Sequence, residues 1–195
     1  MIQAGLRAEL ARCFQPVCSR RSGAAVLLCG QPGIGKTHLA EEVLLHLSCR
    51  SLKVHARTSD RALVVALPAA RLKPDWAEVV FAQVLRGESV TQLKLRDALA
   101  AHLLALAPFV LYLEDLHEVG AERSAFWGDL ARVVQKLKGV GLLATSREDQ
   151  TGFTVLEVPE LVPGDSRALL EAEAGVTLPE EAVSWIRGWA RGNPL

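Results

Sequence analysis

The sequence predicts an α/β protein in which a mainly parallel, five-stranded sheet lies between two layers of helices and is followed by a small helical unit. Short apolar runs alternate with helical segments over residues 1–158, which is the pattern of a parallel sheet covered on both faces. After Pro159 no further strand-like run occurs, and the remaining sequence has helical spacing. We therefore expect a core domain at 1–158 and a helical unit at 159–195.

The elements of the first part follow from the spacing of apolar residues. Residues 1–14 have the pattern of an amphipathic helix. The continuous apolar run AAVLLC, at 24–29, ends at a glycine and is typical of a strand buried on both faces. Leucines and valines then recur at helical spacing over 37–47, and the segment SLKVHA, from Ser51, alternates like a second strand.

Prolines mark the boundaries in the middle of the chain. The segment 59–82 is left unassigned, because Pro68 and Pro74 interrupt its otherwise apolar sequence. A long helix is predicted over 91–107, where a proline follows at once. The apolar run FVLYLED, at 109–115, then predicts a third strand that finishes on two acids.

The last third of the core contains one helix and two strands, and two more helices follow. The first helix is indicated by an apolar stripe that consists of Phe126, Leu130, Val133, Val134 and Leu137. The strands and the two final helices are predicted at 139–147, 153–158, 164–175 and 177–192. The last helix opens with Thr177 and Glu180 at the spacing of a capping box.

The composition argues against several functional classes. The chain has 22 Lys+Arg and 22 Asp+Glu, so its formal net charge is zero and no direct contact with nucleic acid is predicted. No apolar run approaches the roughly 18 residues of a membrane-spanning helix, and the N-terminus has no signal-peptide core, so we expect a cytoplasmic protein without a membrane partner. The cysteines form no metal-binding pattern and are expected to be reduced thiols: Cys13, Cys18, Cys29 and Cys49.

Residues 30–37, GQPGIGKT, fit the phosphate-binding pattern G-x-x-x-x-G-K-[ST] in full. Glycines allow the backbone to wrap closely around a phosphate and to point its N–H groups inward. The lysine reaches the terminal phosphates, the hydroxyl binds Mg²⁺, and the following helix N-terminus favours negative charge. We therefore expect a nucleotide to be bound by Gly30, Gln31, Pro32, Gly33, Ile34, Gly35, Lys36, Thr37 and His38.

Two acids, Glu114 and Asp115, end the apolar run at 109–115. The carboxyl ends of buried parallel strands are where open α/β sheets place their ligands. One carboxylate there can hold Mg²⁺, and a second can orient or deprotonate the attacking water. We assign Glu114 to the metal, together with Thr37, and Asp115 to the water, and the reverse assignment of the two acids stays open.

Polar residues also follow the next strand, in the sequence Thr145-Ser146-Arg147. A hydroxyl and a guanidinium at this position can contact a γ-phosphate, so Ser146 is added to the nucleotide-binding residues and Arg147 to the catalytic ones. A solvated loop arginine is the alternative interpretation. His117, just beyond the two acids, is expected to be a surface loop residue.

With these residues in place, the chain resembles the STAND branch of P-loop ATPases, the signal-transducing relatives of AAA+ proteins. GQPGIGKTHLAEEVL is similar to the phosphate-binding loop and following helix of that family, and LYLEDLHEV is similar to its Walker B segment. LLATSRED resembles its sensor strand, with Arg147 in the place of the arginine that senses the γ-phosphate. GLRAEL resembles the family's G-R-E-x-E-L motif but departs from it at Leu6 and Arg7.

The resemblance implies the sheet order 5-1-4-3-2, an adenine nucleotide (ATP or ADP) with Mg²⁺, and a helical lid at 159–195. The closing GNPL is similar to the family's G-x-P motif, whose proline packs by the adenine and is Pro194 here. The family continues into a winged helix, helical repeats and an effector domain, so we expect this chain to be a segment of a longer protein. Nucleotide-dependent self-association is also implied.

The resemblance favours an ATP-dependent regulatory switch, in signalling or transcription, that slow hydrolysis resets. A remodelling or loader ATPase that works as a ring is the alternative, and it would need an arginine from a neighbouring subunit, for which nothing singles out Arg123 or Arg132. A small-molecule kinase would need an arginine-bearing lid and an acceptor pocket, which the sequence does not indicate. The complete set of phosphate-loop and acidic residues argues against a scaffold that no longer hydrolyses nucleotide.

Overall fold

The computed structural model describes residues 2–70, 75–159, 167, 171 and 174–190. Its five strands are β1 Ala24–Cys29, β2 Arg50–His55, β3 Phe109–Glu114, β4 Val140–Ser146 and β5 Thr154–Glu157. They lie side by side in the order β2-β3-β4-β1-β5, and all four neighbouring pairs are parallel. This is the predicted order read from the opposite edge of the sheet, so the predicted fold class and strand order are confirmed.

Helices connect these strands and cover the sheet. The α-helices of the described residues are α1 Ile2–Cys18, α2 Lys36–His46, α3 Asp60–Ala66, α4 Trp76–Arg86, α5 Gln92–Leu106, α6 Ala121–Val134 and α7 Glu180–Ala190. A short 3-10 turn, Leu116–Glu118, separates β3 from α6. None of these helices is long and apolar enough to cross a membrane.

The strands bury both of their faces, because successive side chains in a strand point to opposite sides of the sheet. Val26 and Leu28 of β1 pack in one apolar cluster, which includes Phe14 of α1 and Val43 of α2. Leu27 of β1 belongs to the other cluster, which α3, α4, α5 and α6 complete. The sheet is therefore the middle layer of three, and its continuous apolar runs have the composition that this position requires.

The unassigned segment 59–82 contains α3 and the first part of α4. Ser59 starts α3 by accepting a hydrogen bond from the backbone N–H of Ala62 at 3.3 Å. The helix is only 7 residues long and ends before Pro68, so its apolar pattern is too short to be distinguished from that of a strand.

Two predicted helix boundaries were wrong. Helix α6 ends at Val134, so Leu137 follows the helix and does not extend its stripe. Helix α7 begins at Glu180, where the N–H of Val183 bonds to the carbonyl of Pro179 at 3.1 Å, so Thr177 is not its cap. Most of the predicted helix at 164–175 lies outside the described residues, and the division of the chain at residue 158 stays a prediction.

Candidate functional site

A cleft of about 400 Å³ opens at the carboxyl ends of the central strands. The order β3-β4-β1 brings together the segments that follow these three strands. Each of them contributes to the wall, as does the start of α2. The cleft is lined by Pro32, Gly33, Gly35, Lys36, Thr37, His38, Glu41, Asp115 and Arg147. Residues predicted from three separate parts of the sequence therefore meet at one place.

The loop between β1 and α2, residues 30–35, is the glycine loop. Its backbone follows a path that only glycine adopts without strain. Gly30, Gly33 and Gly35 have φ angles of 154°, 75° and 93°. A Cβ on Gly30 would also lie 2.7 Å from the carbonyl oxygen of Val158, at the end of β5. The side chain of Ile34 turns inward and is buried in the core beneath α1 and α2, so it anchors the loop instead of facing the cleft.

Lys36, the first residue of α2, reaches back across this loop. Its Nζ donates to the carbonyl oxygens of Gly30 and Gln31, at 2.7 Å each, and the side chain is 8% exposed. Burial lowers the pKa of Lys36, and Arg147 lowers it further, whereas Asp115 raises it. In the part of the chain that the structure describes, the ammonium makes no ion pair within 4 Å, so a phosphate would supply the anionic partner that it lacks.

The predicted metal ligands contact each other. The hydroxyl of Thr37 donates to Oε1 of Glu114 at 3.2 Å, so both oxygens can face one cation. Hydroxyl and carboxylate oxygens are the hard ligands that Mg²⁺ prefers. The donor set therefore fits the magnesium ion that accompanies a nucleotide.

A lysine that the sequence did not indicate also contacts Glu114. Nζ of Lys53, on β2, lies 2.9 Å from Oε1 of Glu114 and 2.7 Å from Oε1 of Glu41. Burial by itself would lower the pKa of Lys53, but the hydrogen bonds to Glu41 and Glu114 outweigh it and raise the pKa above its usual range. The ammonium is therefore charged and acts as the counter-ion of the predicted metal ligand.

Asp115 faces the cleft through an unusual backbone turn. Its φ of 55° places it in the left-handed region, which few residues other than glycine adopt, although aspartate tolerates it better than most. Its N–H donates to the hydroxyl of Thr145 at 3.1 Å, which fixes the turn to the neighbouring strand. Glu114 and Asp115 consequently point to different partners, as their different predicted roles require.

The residues after β4 divide between the cleft and the core. The side chain of Arg147 is exposed and lines the cleft. Ser146 is fully buried, its hydroxyl accepts a hydrogen bond from the N–H of Glu148 at 3.1 Å, and its carbonyl accepts one from Gly30 at 3.3 Å. Ser146 therefore connects the turn after β4 to the glycine loop. Its side chain is buried and does not face the cleft, where the nucleotide contact was predicted.

The remaining predicted residues have different positions. His38 lies at the rim with its side chain 78% exposed, and its Nε2 is 3.9 Å from Oε2 of Glu42. Gln31 takes part through the carbonyl that Lys36 binds. Pro194 lies outside the described residues.

His117 differs from the expected surface histidine. It is half-buried, and both of its ring nitrogens are shielded from solvent without a hydrogen-bond partner among the described residues. Burial lowers its pKa and Arg147 lowers it further, while Asp115 and Glu118 raise it. The imidazole is therefore neutral near pH 7 and contributes no charge beside Asp115.

Sequence reasoning missed three residues around the two acids: Glu41, Lys53 and His55. His55 ends β2 with its Nε2 at 3.8 Å from Oδ2 of Asp115. Lys53 and His55 are brought close by the pairing of β2 with β3, and Glu41 by α2, which packs against β1 and β4. The alternation of the strand at Ser51 was the available signal, because it puts Lys53 and His55 on one face.

Residues 4–143 match the family described as the AAA ATPase domain. The chain belongs to this family. The resemblance to AAA+-related P-loop ATPases that the motifs indicated is thereby confirmed. No curated protein sequence matches the chain at a significant level.

Solved structures with the same fold come from several kinds of protein. The Orc1 protein of Aeropyrum pernix in complex with DNA matches 89% of this chain and 49% of its own, with 20% identity and a TM-score of 0.62. A STAND protein with a tetratricopeptide repeat sensor from Pyrococcus horikoshii matches 92% and 28%, with 17% identity and a TM-score of 0.58. A RuvB mutant of Thermotoga maritima matches 98% and 58%, with 16% identity and a TM-score of 0.58.

The similarity to these structures is one of fold, because the identities are low. This chain spans less than two thirds of the length of each matched chain, namely 49%, 28% and 58%. Membership of the family makes the chain an ATPase-type nucleotide-binding domain. The cleft that contains the glycine loop, Lys36 and Asp115 is the place in the described structure with the groups for that chemistry.

Proposed function

We propose that this domain is a magnesium-dependent ATP switch of the STAND type, which hydrolyses ATP slowly and regulates an output domain elsewhere in a longer cytoplasmic protein. The observation that carries the proposal is the occupation of the site by the chain's own lysines. Lys36 binds the loop carbonyls of Gly30 and Gln31, and Lys53 contacts Glu114. A phosphate would give Lys36 an anionic partner and Mg²⁺ would compete with Lys53 for Glu114, so nucleotide binding would change the contacts inside the site.

Each cleft residue has a role in this proposal. Lys36 and the N–H groups of the glycine loop bind the phosphates, and Thr37 and Glu114 hold the ion. The ion neutralises the charge on the phosphates when bound. Asp115 orients the attacking water and accepts its proton. Arg147 contacts the γ-phosphate and so distinguishes ATP from ADP.

The second candidate function is a remodelling or loader ATPase that works as a ring. A ring would require an arginine that is free to enter a neighbour's site. Arg123 is instead anchored, since it pairs with Asp60, donates to the carbonyl of Thr58 at 3.0 Å, and lies 4.7 Å over the ring of Trp127. Arg132 pairs with Asp129 on the same helix at 2.5 Å. These contacts favour the switch, in which self-association depends on the bound nucleotide.

Turnover measured against protein concentration distinguishes the two candidates. We expect the purified chain to retain ADP, which chromatography detects in the supernatant after the protein is denatured. We also expect it to hydrolyse ATP at a low rate per molecule that does not change with protein concentration. A rate per molecule that rises with protein concentration would favour the ring. No hydrolysis under any magnesium concentration would contradict both.

A further inference from the structure

Two thiols are in contact near the amino ends of the strands, whereas the cleft lies at the carboxyl ends. Cys18 is the last residue of α1, and Cys49 lies between α2 and the start of β2. Their Sγ atoms are 3.1 Å apart, and both side chains are half-buried. We propose that Cys18 and Cys49 form a reversible disulfide, a modification site that responds to hydroperoxides.

The packing of the two helices fixes this contact. Leu10, Phe14 and Val17 of α1 share an apolar cluster with Val43 and Leu44 of α2. Each sulfur is therefore attached to a backbone segment that this shared cluster holds in place. The other two cysteines, Cys13 and Cys29, have no sulfur partner in the described part of the chain.

The reaction proceeds in two balanced steps. The sulfur of Cys18, as thiolate, attacks one oxygen of hydrogen peroxide, the O–O bond breaks, and water leaves after protonation, so that Cys18 becomes a sulfenic acid. The sulfur of Cys49 then attacks that of Cys18, the S–S bond forms, and the S–O bond breaks. The leaving hydroxide takes the proton of Cys49 and becomes a second water molecule. In total, the two thiols have lost two electrons and two protons to the peroxide.

The two cysteines have different environments for these steps. Burial and, to a smaller extent, the hydrogen bond with Cys18 together raise the pKa of Cys49 to about 12. Cys49 therefore keeps its proton near neutral pH and is assigned the second step. The reaction is expected to be slow, because the second sulfur attacks as a thiol with little thiolate character.

The disulfide would enclose the complete phosphate-binding unit in one covalent loop. Residues 18–49 contain β1, the glycine loop and α2. Cross-linking this loop restricts the unfolded chain more than the folded one and so raises the unfolding temperature. The pair lies before β1 and β2, at the amino ends of parallel strands, whereas the cleft lies at the carboxyl ends, so the cleft itself is not covered.

The test is oxidation of the folded chain with a slight molar excess of hydrogen peroxide, followed by alkylation and mass spectrometry. We expect a monomer whose mass is lower by two hydrogens and in which two fewer thiols are alkylated. Digestion should yield a linked peptide pair that contains Cys18 and Cys49, and dithiothreitol should reverse all three changes. The oxidised protein should unfold at a Tm roughly 5 to 10 °C higher than the reduced protein.

Matched variants decide the assignment. Cys13→Ser should react like the wild type, whereas Cys18→Ser and Cys49→Ser should lose both the linked peptides and the Tm shift. Linked peptides that contain Cys13 or Cys29, a cross-linked dimer, or four thiols that remain open to alkylation would each overturn the proposal. Circular dichroism of the reduced variants separates a loss of folding from a loss of the bond.

Discussion

At the scale of single residues, the cleft depends on two neighbouring acids that face different ways. Glu114 ends β3 and contacts Thr37, whereas Asp115 lines the cleft. The turn between them requires the left-handed backbone of Asp115, held by the hydroxyl of Thr145. The different directions of the two carboxylates are therefore set by the backbone at the end of the strand.

Replacing the acids one at a time tests this division. Asp115→Asn keeps the side-chain shape and tolerates the same backbone, so Mg·ATP should still bind while hydrolysis falls by about 100-fold or more. Glu114→Gln should instead weaken the binding of Mg²⁺, so that a higher Mg²⁺ concentration is needed for nucleotide binding. Equilibrium binding and single-turnover hydrolysis measure the two effects. If the two variants exchange these phenotypes, the assignment of the acids is reversed.

Lys53 provides a second test at the same scale. Its ammonium competes with Mg²⁺ for Glu114, so Lys53→Met should lower the Mg²⁺ concentration at half-maximal nucleotide binding by about two- to fivefold. Lys94→Met, at an exposed position on α5, is the control for a general change of charge. An unchanged half-saturating concentration in the Lys53 variant would show that the contact does not compete with the ion.

The sequence identified the residues whose chemistry is local. Lys36 and Thr37 belong to one continuous motif, and Glu114 and Asp115 end one apolar run, so spacing alone indicated them. Lys53 could not be found in this way, since its contact depends on the register of β2 against β3, in which it pairs with Tyr112. Ser146 was placed in the site because position along the chain does not distinguish a buried side chain from one that faces a cleft.

At the scale of elements, the strands were predicted well and the short helices were not. The run at 24–29 matches β1, because a strand buried on both faces is apolar throughout. Helix α3 was missed because its 7 residues make at most two turns, which are too few for the helical spacing of apolar residues to be recognised. Helix ends depend on local backbone bonds, such as the one from the N–H of Val183 to the carbonyl of Pro179 at the start of α7, and apolar spacing does not reveal them.

The contact between α1 and the sheet depends on a glycine in β4. A Cβ on Gly141 would lie 2.8 Å from Cε1 of Phe14 and 2.9 Å from Cγ2 of Val110. Gly141→Ala should therefore lower the free energy of unfolding by about 1–3 kcal/mol through overpacking, measured by urea denaturation.

Gly5→Ala, within α1, is the matched control for this change. A Cβ on Gly5 would meet no atom within 4 Å, so alanine there should leave the stability unchanged or raise it by up to about 1 kcal/mol. Equal effects of the two substitutions would mean that α1 does not pack against β4 as described.

At the scale of the whole molecule, strand order creates the site. The order β2-β3-β4-β1-β5 places β4 between β3 and β1, so the acids, Arg147 and the glycine loop meet at one edge. Apolar spacing predicts the number of strands but not their order, which came from the resemblance to a known family. Pro194 and part of the predicted lid lie outside the described residues, so closure over a nucleotide stays a prediction.

Calorimetric titration of the wild type and of Lys36→Ala tests whether the cleft around Lys36 binds Mg·ATP. Removing the buried ammonium takes away the main counter-charge of the phosphates, so we expect one site in the wild type and a loss of affinity of about thirtyfold or more in the variant. Lys94→Ala, outside the residues that line the cleft, should bind like the wild type. Equal affinity of Lys36→Ala and the wild type would show that the cleft is not the phosphate site.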